Sequence, residues 1–581
     1  MKKNFYSSER NVQMLIYLLK KHNIKKIIAS PGATNVCFIG SLQNDPFFEI
    51  YSAADERQAA YIACGLSAES REPVVISCTG ATASRNYIPA LTEAYYRKLP
   101  ILAVTATQHI GRVGQNIAQV IDRSTIQNDI AKYSLLLPTI HDSEDEWAYG
   151  VKINEALLEL RHRGGGPVHI NLTTEYSKDF SIKELPAVKF IKRITYSDEF
   201  PSLENKRVGI FVGAHLEWDN DLVAAVDCFC EKYNSVVLCD HTSNYPGKYG
   251  VFYSLVSSQV LYSSPLKKFD LLIDLGDVSG AYPSLSFKEV WRVNPDGAVR
   301  DRFKKLTNVF EMPESVFFST YNLKIEENHN TSFFNGWKNE IKHFESIIPK
   351  LPFSNVWIAK KTVSRLPNNS VLHLGILNSL RSWNLFSKDS SIRSYSNTGG
   401  FGIDGCLSSL IGASLANKEK LYFAVVGDLA FFYDMNSLGN KHVGNNLRIM
   451  LINNGRGTEF RNYNHPAQIC FEEDADMFMA AAGHYGNKSR DLVRHYAEDL
   501  GFEYLCSDNK ESYLSNLERF IEPFLTDKPI IFEVFTDSKL ESEALEICYH
   551  LEKTAKGQAK ETIKKILGNK GTEKIKMILK K

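Results

Sequence analysis

Two residues late in the chain stand where a divalent cation could be held. The run LYFAVVGD ends in Gly427-Asp428, the run LRIMLINN ends in Asn453-Asn454, and Asn454 lies 26 residues after Asp428. Each run is a continuous apolar stretch of the kind that forms a buried parallel strand. Both ends are therefore expected on one edge of one sheet, where α/β folds bind ligands. An Asp carboxylate and an Asn carbonyl are hard oxygen donors suited to Mg²⁺, which keeps some water and is readily shared with phosphates. Gly427, Gly455 and Gly457 leave room for backbone to approach a diphosphate. A lone Gly-Asp or Asn-Asn says nothing, because both commonly end strands in turns; the pair at this spacing is far more specific.

A second group lies nearer the start. In YSAADERQAAYIACGLSAES, Glu56 sits where a strand gives way to an apolar helix. Taken alone it reads as a solvated first-turn glutamate that favours the helix dipole. His109, Asn116 and Gln119 follow the strand ILAVTA. A histidine there is open between proton transfer near neutral pH and a structural role. His465, in NYNHPAQ, falls on an expected loop with the same two readings.

These residues need strands and helices to place them. Short apolar runs alternate with helical patterns in three blocks, which predicts parallel sheets covered by helices. The first block carries KKIIAS, PVVISC, ILAVTA and PVHINL; the second RVGIFVGA, SVVLCD, FDLLIDLG and EVWRV; the third VLHLGIL, LYFAVVGD, LRIMLINN and IIFEVF. The expected class is α/β, with three consecutive domains at 1–185, 186–345 and 346–540 and a basic helical tail at 541–581. Polar stretches near 180–205 and 325–355 read as linkers. Residues 553–581 hold ten Lys and two Glu, with Ile563, Ile566, Leu567, Ile575, Ile578 and Leu579 at helical spacing. That tail is either a solvated helix resting on the body by a narrow stripe or a basic amphipathic element for an acidic membrane surface or partner.

The bulk numbers exclude several classes. The chain has 581 residues, 44% hydrophobic and 23% charged, with a net charge of +1. It is long enough for several cores, and it has no overall field for nucleic acid. The N-terminal MKKNFYSSERNVQMLIYLLKKHN reads as an amphipathic helix rather than a signal peptide. No stretch approaches the roughly 18 apolar residues of a membrane span. Ten scattered cysteines without a paired CxxC fit a reducing cytoplasm.

GDLAFFYDMNSL followed by NNGRGTEF resembles the thiamine-diphosphate motif, and S-P-G, D-E-R-x-A-A-x-x-A-x-G-L and C-T-G-A-T-A-x-x-N-x-x-P-A resemble the pyrimidine-binding domain of the same enzymes. The chain thus resembles the thiamine-diphosphate-dependent family of 2-oxo acid decarboxylases and acetolactate synthases. Its SNTGGFGIDGCLSSLIGAS and LGILNSLRSW are closest to the menaquinone-pathway succinyl-enolpyruvyl-hydroxycyclohexene-carboxylate synthase. The resemblance covers the first and third blocks; the second matches only as a generic α/β domain and lacks a dinucleotide motif.

The resemblance implies thiamine diphosphate and Mg²⁺ as cofactors. Asp428 and Asn454 would bind the ion by side chain and Arg456 by its backbone carbonyl. Ser379, Asn378, Gly402 and the stretch Gly427, Asp428, Leu429 and Ala430 would hold the diphosphate end, with Ile403 as the apolar wedge under the bent cofactor. Pro31, Gly32, Thr79 and Asn86 would lie at the pyrimidine end, where Glu56 hydrogen-bonds the ring nitrogen. It also implies a homodimer or tetramer with the cofactor between the first domain of one subunit and the third of another.

Departures from that pattern concern the substrate. Four family arginines align with Thr34, Gln108, Trp383 and Thr398, none of them Arg, while Arg381 lies two residues from one such place. Guanidinium forks match carboxylates bidentately, so Thr34, Gln108, Thr398 and Arg381 predict a less acidic substrate or a sugar-like acceptor. Ala430 replaces a usual Ser, and Glu459 replaces an aliphatic residue, either as a proton donor or acceptor or as an exposed loop residue. The expected reaction is decarboxylation of a 2-oxo acid with transfer of the acyl-anion equivalent to an acceptor, with His109, Asn116, Gln119 and Glu459 near the chemistry. The alternatives are a simple decarboxylase releasing an aldehyde and an inactive binding relative.

Overall fold

The computed structural model describes residues 5–123, 125–281, 283–324, 329–484 and 488–555. The chain forms two compact units. The first is Met1–Asp198 with Gly297–Glu311, and the second is Glu199–Asp296 with Met312–Lys581.

The first unit carries a six-stranded parallel sheet in the order Glu49–Ser52, Lys26–Ala29, Val74–Cys78, Ile101–Thr107, Val168–Thr173, Tyr133–Leu137. Its central strands are buried along their whole length, as continuous apolar runs require when helices cover both faces. Alternate side chains serve the two faces. Val75, Leu102 and Val104 join a core with Val12, Leu15 and Ile16 of the helix Arg10–Lys21. Ile76, Cys78 and Ala103 join the opposite core with Ala59 and Ala63 of the helix Glu56–Ser70. The chain steps to one side of Lys26–Ala29 for its next strand and to the other side for the one after, so the crevice between Lys26–Ala29 and Val74–Cys78 is a switch point. The same unit holds a short parallel pair, Leu306–Phe310 with Lys192–Ile194.

The second unit holds two parallel layers. One runs Gly250–Phe252, Val237–Cys239, Val208–Val212, Lys268–Leu275, Ser286–Val293. The other runs Arg393–Tyr395, Val371–Leu374, Tyr422–Gly427, Leu447–Asn453, Ile530–Phe535, Glu503–Ser507. Its switch point lies between Val371–Leu374 and Tyr422–Gly427. The α/β class with parallel sheets flanked by helices is therefore as expected.

The linker expectations fail in part: the stretch near 180–205 contains the strand Lys192–Ile194. The stretch near 325–355 is not merely a linker, because Ser332–Ile347 is a helix. Phe333, Trp337 and Phe344 are its buried residues, and Phe269 meets Phe333 and Trp337 with ring centroids 5.5 and 6.4 Å apart. Charged residues between these aromatics hid the stripe. The tail from 556, with Ile563, Ile566, Leu567, Ile575, Ile578 and Leu579, lies outside the described residues. No helix among the described residues is long and apolar enough to cross a membrane.

Two buried histidines set an acid limit. His169 bridges Thr105 Oγ1 at 2.8 Å and Ser134 Oγ at 3.0 Å. His241 Nε2 donates to the carbonyls of Trp383 and Phe386 at 2.9 and 3.1 Å. Burial, the largest cause in both, pushes each ring down to about 3. The unfolded chain then binds more protons than the fold. The stability these rings supply is complete above about pH 6.5 and is lost as pH falls toward 3, at up to about 1.4 kcal/mol per pH unit for each ring. Thermal melts are expected to shift downward steadily below about pH 6.5; melts unchanged down to about pH 4 would contradict this.

Candidate active site

In the second unit the two predicted strand ends meet. Tyr422–Gly427 runs directly into the helix Asp428–Asp434, and Leu447–Asn453 is its parallel neighbour. Asp428 is only 3% exposed. Its Oδ1 accepts from Leu429 N at 2.7 Å and its Oδ2 from Gly455 N at 2.5 Å. Gly455 has φ +79°, a left-handed turn that places its N–H on the carboxylate and suits glycine. His484 Nε2 lies 3.3 Å from Asp428 Oδ2.

The two adjacent asparagines divide their work. Asn453 Nδ2 donates to the buried Glu533 Oε1 at 2.7 Å and is structural. Asn454 Oδ1 is buried and has no hydrogen-bond partner among the described residues. A buried amide oxygen left without a donor costs about 1–3 kcal/mol unless something outside the chain satisfies it.

Asp428 and Asn454 line a cavity of about 110 Å³ together with Asn378, Ser379, Ile403, Gly427, Leu429, Ala430, Arg456 and Glu459. All ten were singled out in the sequence. Ser379 is buried, and its Oγ accepts from Asn355 Nδ2 at 3.4 Å. Ile403 packs on the sheet core while also reaching the cavity. Gly427 has open space where a side chain would project. One carboxylate, one unsatisfied amide oxygen and nearby backbone suit a hard cation that takes its remaining oxygens from water and phosphate. The residues present thus fit a magnesium diphosphate.

Other expected residues sit differently. Arg381 Nη2 donates to Glu459 Oε1 at 2.8 Å, and its Nη1 reaches both Glu459 Oε2 and Asn378 Oδ1. Asn462 Nδ2 closes the ring onto Asn378 Oδ1 at 3.0 Å and Glu459 Oε2 at 3.3 Å. Glu459 is therefore not an exposed loop residue, and Arg381 already holds a carboxylate. Trp383 is fully buried, its Nε1 donating to Asn355 Oδ1 at 3.1 Å. Thr398 is buried. His465 caps the helix Pro466–Phe471 by accepting from Ala467 N at 3.1 Å.

The sequence reading missed Glu541, placing it in the basic tail. It lies in the helix Ser538–Tyr549, is 6% exposed and lines the same cavity. It accepts from Asn355 N at 2.9 Å and Thr536 Oγ1 at 2.6 Å. Burial above all, with the Asp428 charge among lesser causes, pushes its carboxyl up to about 7. The signal was the strand IIFEVF followed by Asp537, whose side chain caps the helix. Because the fold binds this proton more tightly than the unfolded chain, wild-type stability falls as pH rises from about 4.5 to 7 and stays penalised above. Glu541→Gln in the cofactor-free protein is expected to melt higher than wild type at pH 8 and alike at pH 5. An equal shift at both pH values would contradict the titration.

In the first unit the second constellation gathers at its own switch point. Gly32 approaches Thr79 so closely that a Cβ on it would lie 2.5 Å from Thr79 Cβ. Thr34 Oγ1 and Thr79 Oγ1 are hydrogen-bonded. Pro31 is exposed beside them. Glu56 opens the helix Glu56–Ser70, whose cap is Asp55 accepting from Gln58 N at 3.1 Å. Asn86 Nδ2 donates to Glu56 Oε2 at 3.5 Å. Gln108 donates to Tyr176 Oη at 3.2 Å and accepts from Arg112. His109 Nδ1 accepts from Gly111 N at 3.1 Å. Asn116 and Gln119, with φ of +55° and +64°, are exposed on the following loop.

Residues 10–126 match the family profile described as thiamine pyrophosphate enzyme, N-terminal TPP binding domain. The chain is similar to a 2-succinyl-5-enolpyruvyl-6-hydroxy-3-cyclohexene-1-carboxylate synthase of Bacteroides fragilis, 30% identical over 94% of this chain and 99% of the relative. The chain belongs to the thiamine pyrophosphate enzyme family. Synthases of the same name from Bacteroides thetaiotaomicron and Flavobacterium johnsoniae are each 29% identical, covering 94% and 90% of this chain and 99% and 95% of the relatives. In this thiamine pyrophosphate enzyme the matched segment contains Gly32, Glu56, Thr79 and Asn86, whereas Asp428 and Asn454 lie far beyond it.

Proposed function

We propose that the protein is a thiamine-diphosphate- and Mg²⁺-dependent carboligase that decarboxylates a 2-oxo acid and delivers the acyl-anion equivalent to an acceptor. The observation that carries the cofactor reading is the unsatisfied Asn454 Oδ1 beside the fixed carboxylate of Asp428, in a cavity with Ser379 and Ile403.

When bound, thiamine diphosphate supplies a nucleophilic carbon and a sink for the electron pair released with CO₂. Asp428, Asn454 and the Arg456 carbonyl hold Mg²⁺. Ser379, Asn378 and the backbone from Gly427 to Ala430 would hold the diphosphate, with Ile403 as the apolar support; Gly402 does not line the cavity, and Asp404 fills the space beside its Cα. Glu56, contacted by Asn86 Nδ2, would face the aminopyrimidine ring nitrogen and could hold a proton there, a role for a positioned carboxyl group. Pro31, Gly32 and Thr79 form the floor beside it. Each site is completed by a second copy of the chain, Glu56 of one copy facing Asp428 of another, in a homodimer or a larger homo-oligomer.

Transfer to an acceptor is favoured over release of an aldehyde by the state of Glu459. Both its oxygens accept hydrogen bonds from Arg381, so the group is engaged by the guanidinium rather than free to serve a carbanion. His109 remains the group for proton movement, and Asn116 and Gln119 can orient reactants only by hydrogen bonds. Incubating the holoenzyme with single 2-oxo acids tests this. Slow CO₂ release that rises with an added carbonyl acceptor, with little free aldehyde, is expected. Stoichiometric aldehyde without any acceptor would establish the decarboxylase instead.

A further inference from the structure

Beside the cofactor cavity lies a larger one of about 410 Å³, within the roughly 300–1,000 Å³ of small-molecule sites. Leu377 and Glu459 line both, so the two spaces are neighbours across a shared wall. Among the described residues the only charged side chains of the larger cavity are Arg381 and Glu459, and these pair through two hydrogen bonds. Its other polar walls are hydroxyls and amides, including Ser254, Ser258, Asn384 and Asn464. Ser254 is 8% exposed, and its Oγ has no hydrogen-bond partner among the described residues. Leu377 and Phe401 contribute apolar surface, and both hold positive φ, +66° and +54°, which a Leu or Phe adopts only when its surroundings impose it.

We propose that this cavity is the acceptor chamber, that its ligand is a neutral polyhydroxylated carbonyl compound of sugar type, and that Glu459 sets this specificity by occupying Arg381. This rests on the carboligase reading above. An acidic acceptor would have to take the guanidinium from Glu459. It would thereby leave a partly buried carboxylate without its cation, held only by the Asn462 amide, which is strongly unfavourable. A neutral polyol leaves the pair intact and offers hydroxyls to Ser254 and to the amides. The inside of the cavity discriminates because a site built to hydrogen-bond an OH rejects ligands lacking it far better than an apolar pocket rejects extra atoms.

The test uses the holoenzyme and direct binding by titration calorimetry, with D-xylose and D-fructose as neutral probes and succinate as the acidic one. Wild type is expected to bind at least one sugar and to bind succinate at least tenfold more weakly. Glu459→Gln, which keeps the shape but frees the guanidinium, is expected to tighten succinate at least tenfold. Adding Arg381→Gln to that variant should return succinate to its wild-type value, and Ser254→Ala should weaken the sugar about tenfold while leaving succinate alone. Tight succinate binding by wild type, or no change on Glu459→Gln in a protein with wild-type melting temperature, overturns the proposal. CO₂ release from a 2-oxo acid is followed in parallel with and without an added carbonyl acceptor. Release that the acceptor does not raise refutes the carboligase reading, whereas acceptor-stimulated release with the wrong binding pattern refutes only the chamber.

Discussion

Asp428→Ala is expected to abolish turnover and to lower Mg²⁺-dependent affinity for thiamine diphosphate by more than 100-fold. Removing residues that merely orient metal ligands already costs about 10–100-fold, and Asp428 is proposed as a ligand itself. The carboxylate has a second task. It accepts from Leu429 N and Gly455 N, so the alanine variant also orphans two amides at the mouth of the cavity. Asn454→Ala separates the two effects, because Asn454 Oδ1 supports nothing else among the described residues. Asn454→Ala should lose Mg²⁺-dependent affinity while melting within a degree or two of wild type. Equal cofactor affinity in all three proteins, measured by titration in Mg²⁺, would remove these residues from the metal site.

Glu56→Gln is expected to lower the rate of CO₂ release by about 10²–10⁴, the usual range for a positioned acid–base group, with cofactor affinity changed much less. Glutamine keeps the size and the contact from Asn86 Nδ2 but has no proton of the right acidity to share with the ring nitrogen. Restored activity at a different pH is not expected, since the amide does not titrate in the working range. A variant that retains full turnover would place Glu56 back among ordinary helix-start glutamates.

Much of this was legible in the residues. Continuous apolar runs such as VVISC and LRIMLINN can be satisfied only as strands covered on both faces, so the parallel sheets and their carboxyl-end crevices followed from pattern alone. Gly-Asp and Asn-Asn at strand ends then brought Asp428 and the asparagine pair to one sheet edge. What escaped depends on pairing across the sequence. Nothing local to Arg381 or Glu459, 78 residues apart, announces that they bind each other. Which asparagine of Asn453-Asn454 faces the cavity is settled by Glu533, a partner 80 residues from Asn453. Glu541 looked like the start of a basic tail because charge there rises with lysine count, yet burial rather than composition decides its chemistry. Ser332–Ile347 was missed for a related reason: Phe333, Trp337 and Phe344 face the core, but the polar residues between them dominate the average.

The most direct test of the central claim is titration of the wild-type protein with thiamine diphosphate, with and without Mg²⁺. Saturable binding that weakens at least 100-fold when Mg²⁺ is chelated, with the same dependence missing in Asn454→Ala, is the predicted result. Absence of binding in Mg²⁺, or binding indifferent to the ion, would contradict the site built on Asp428 and Asn454.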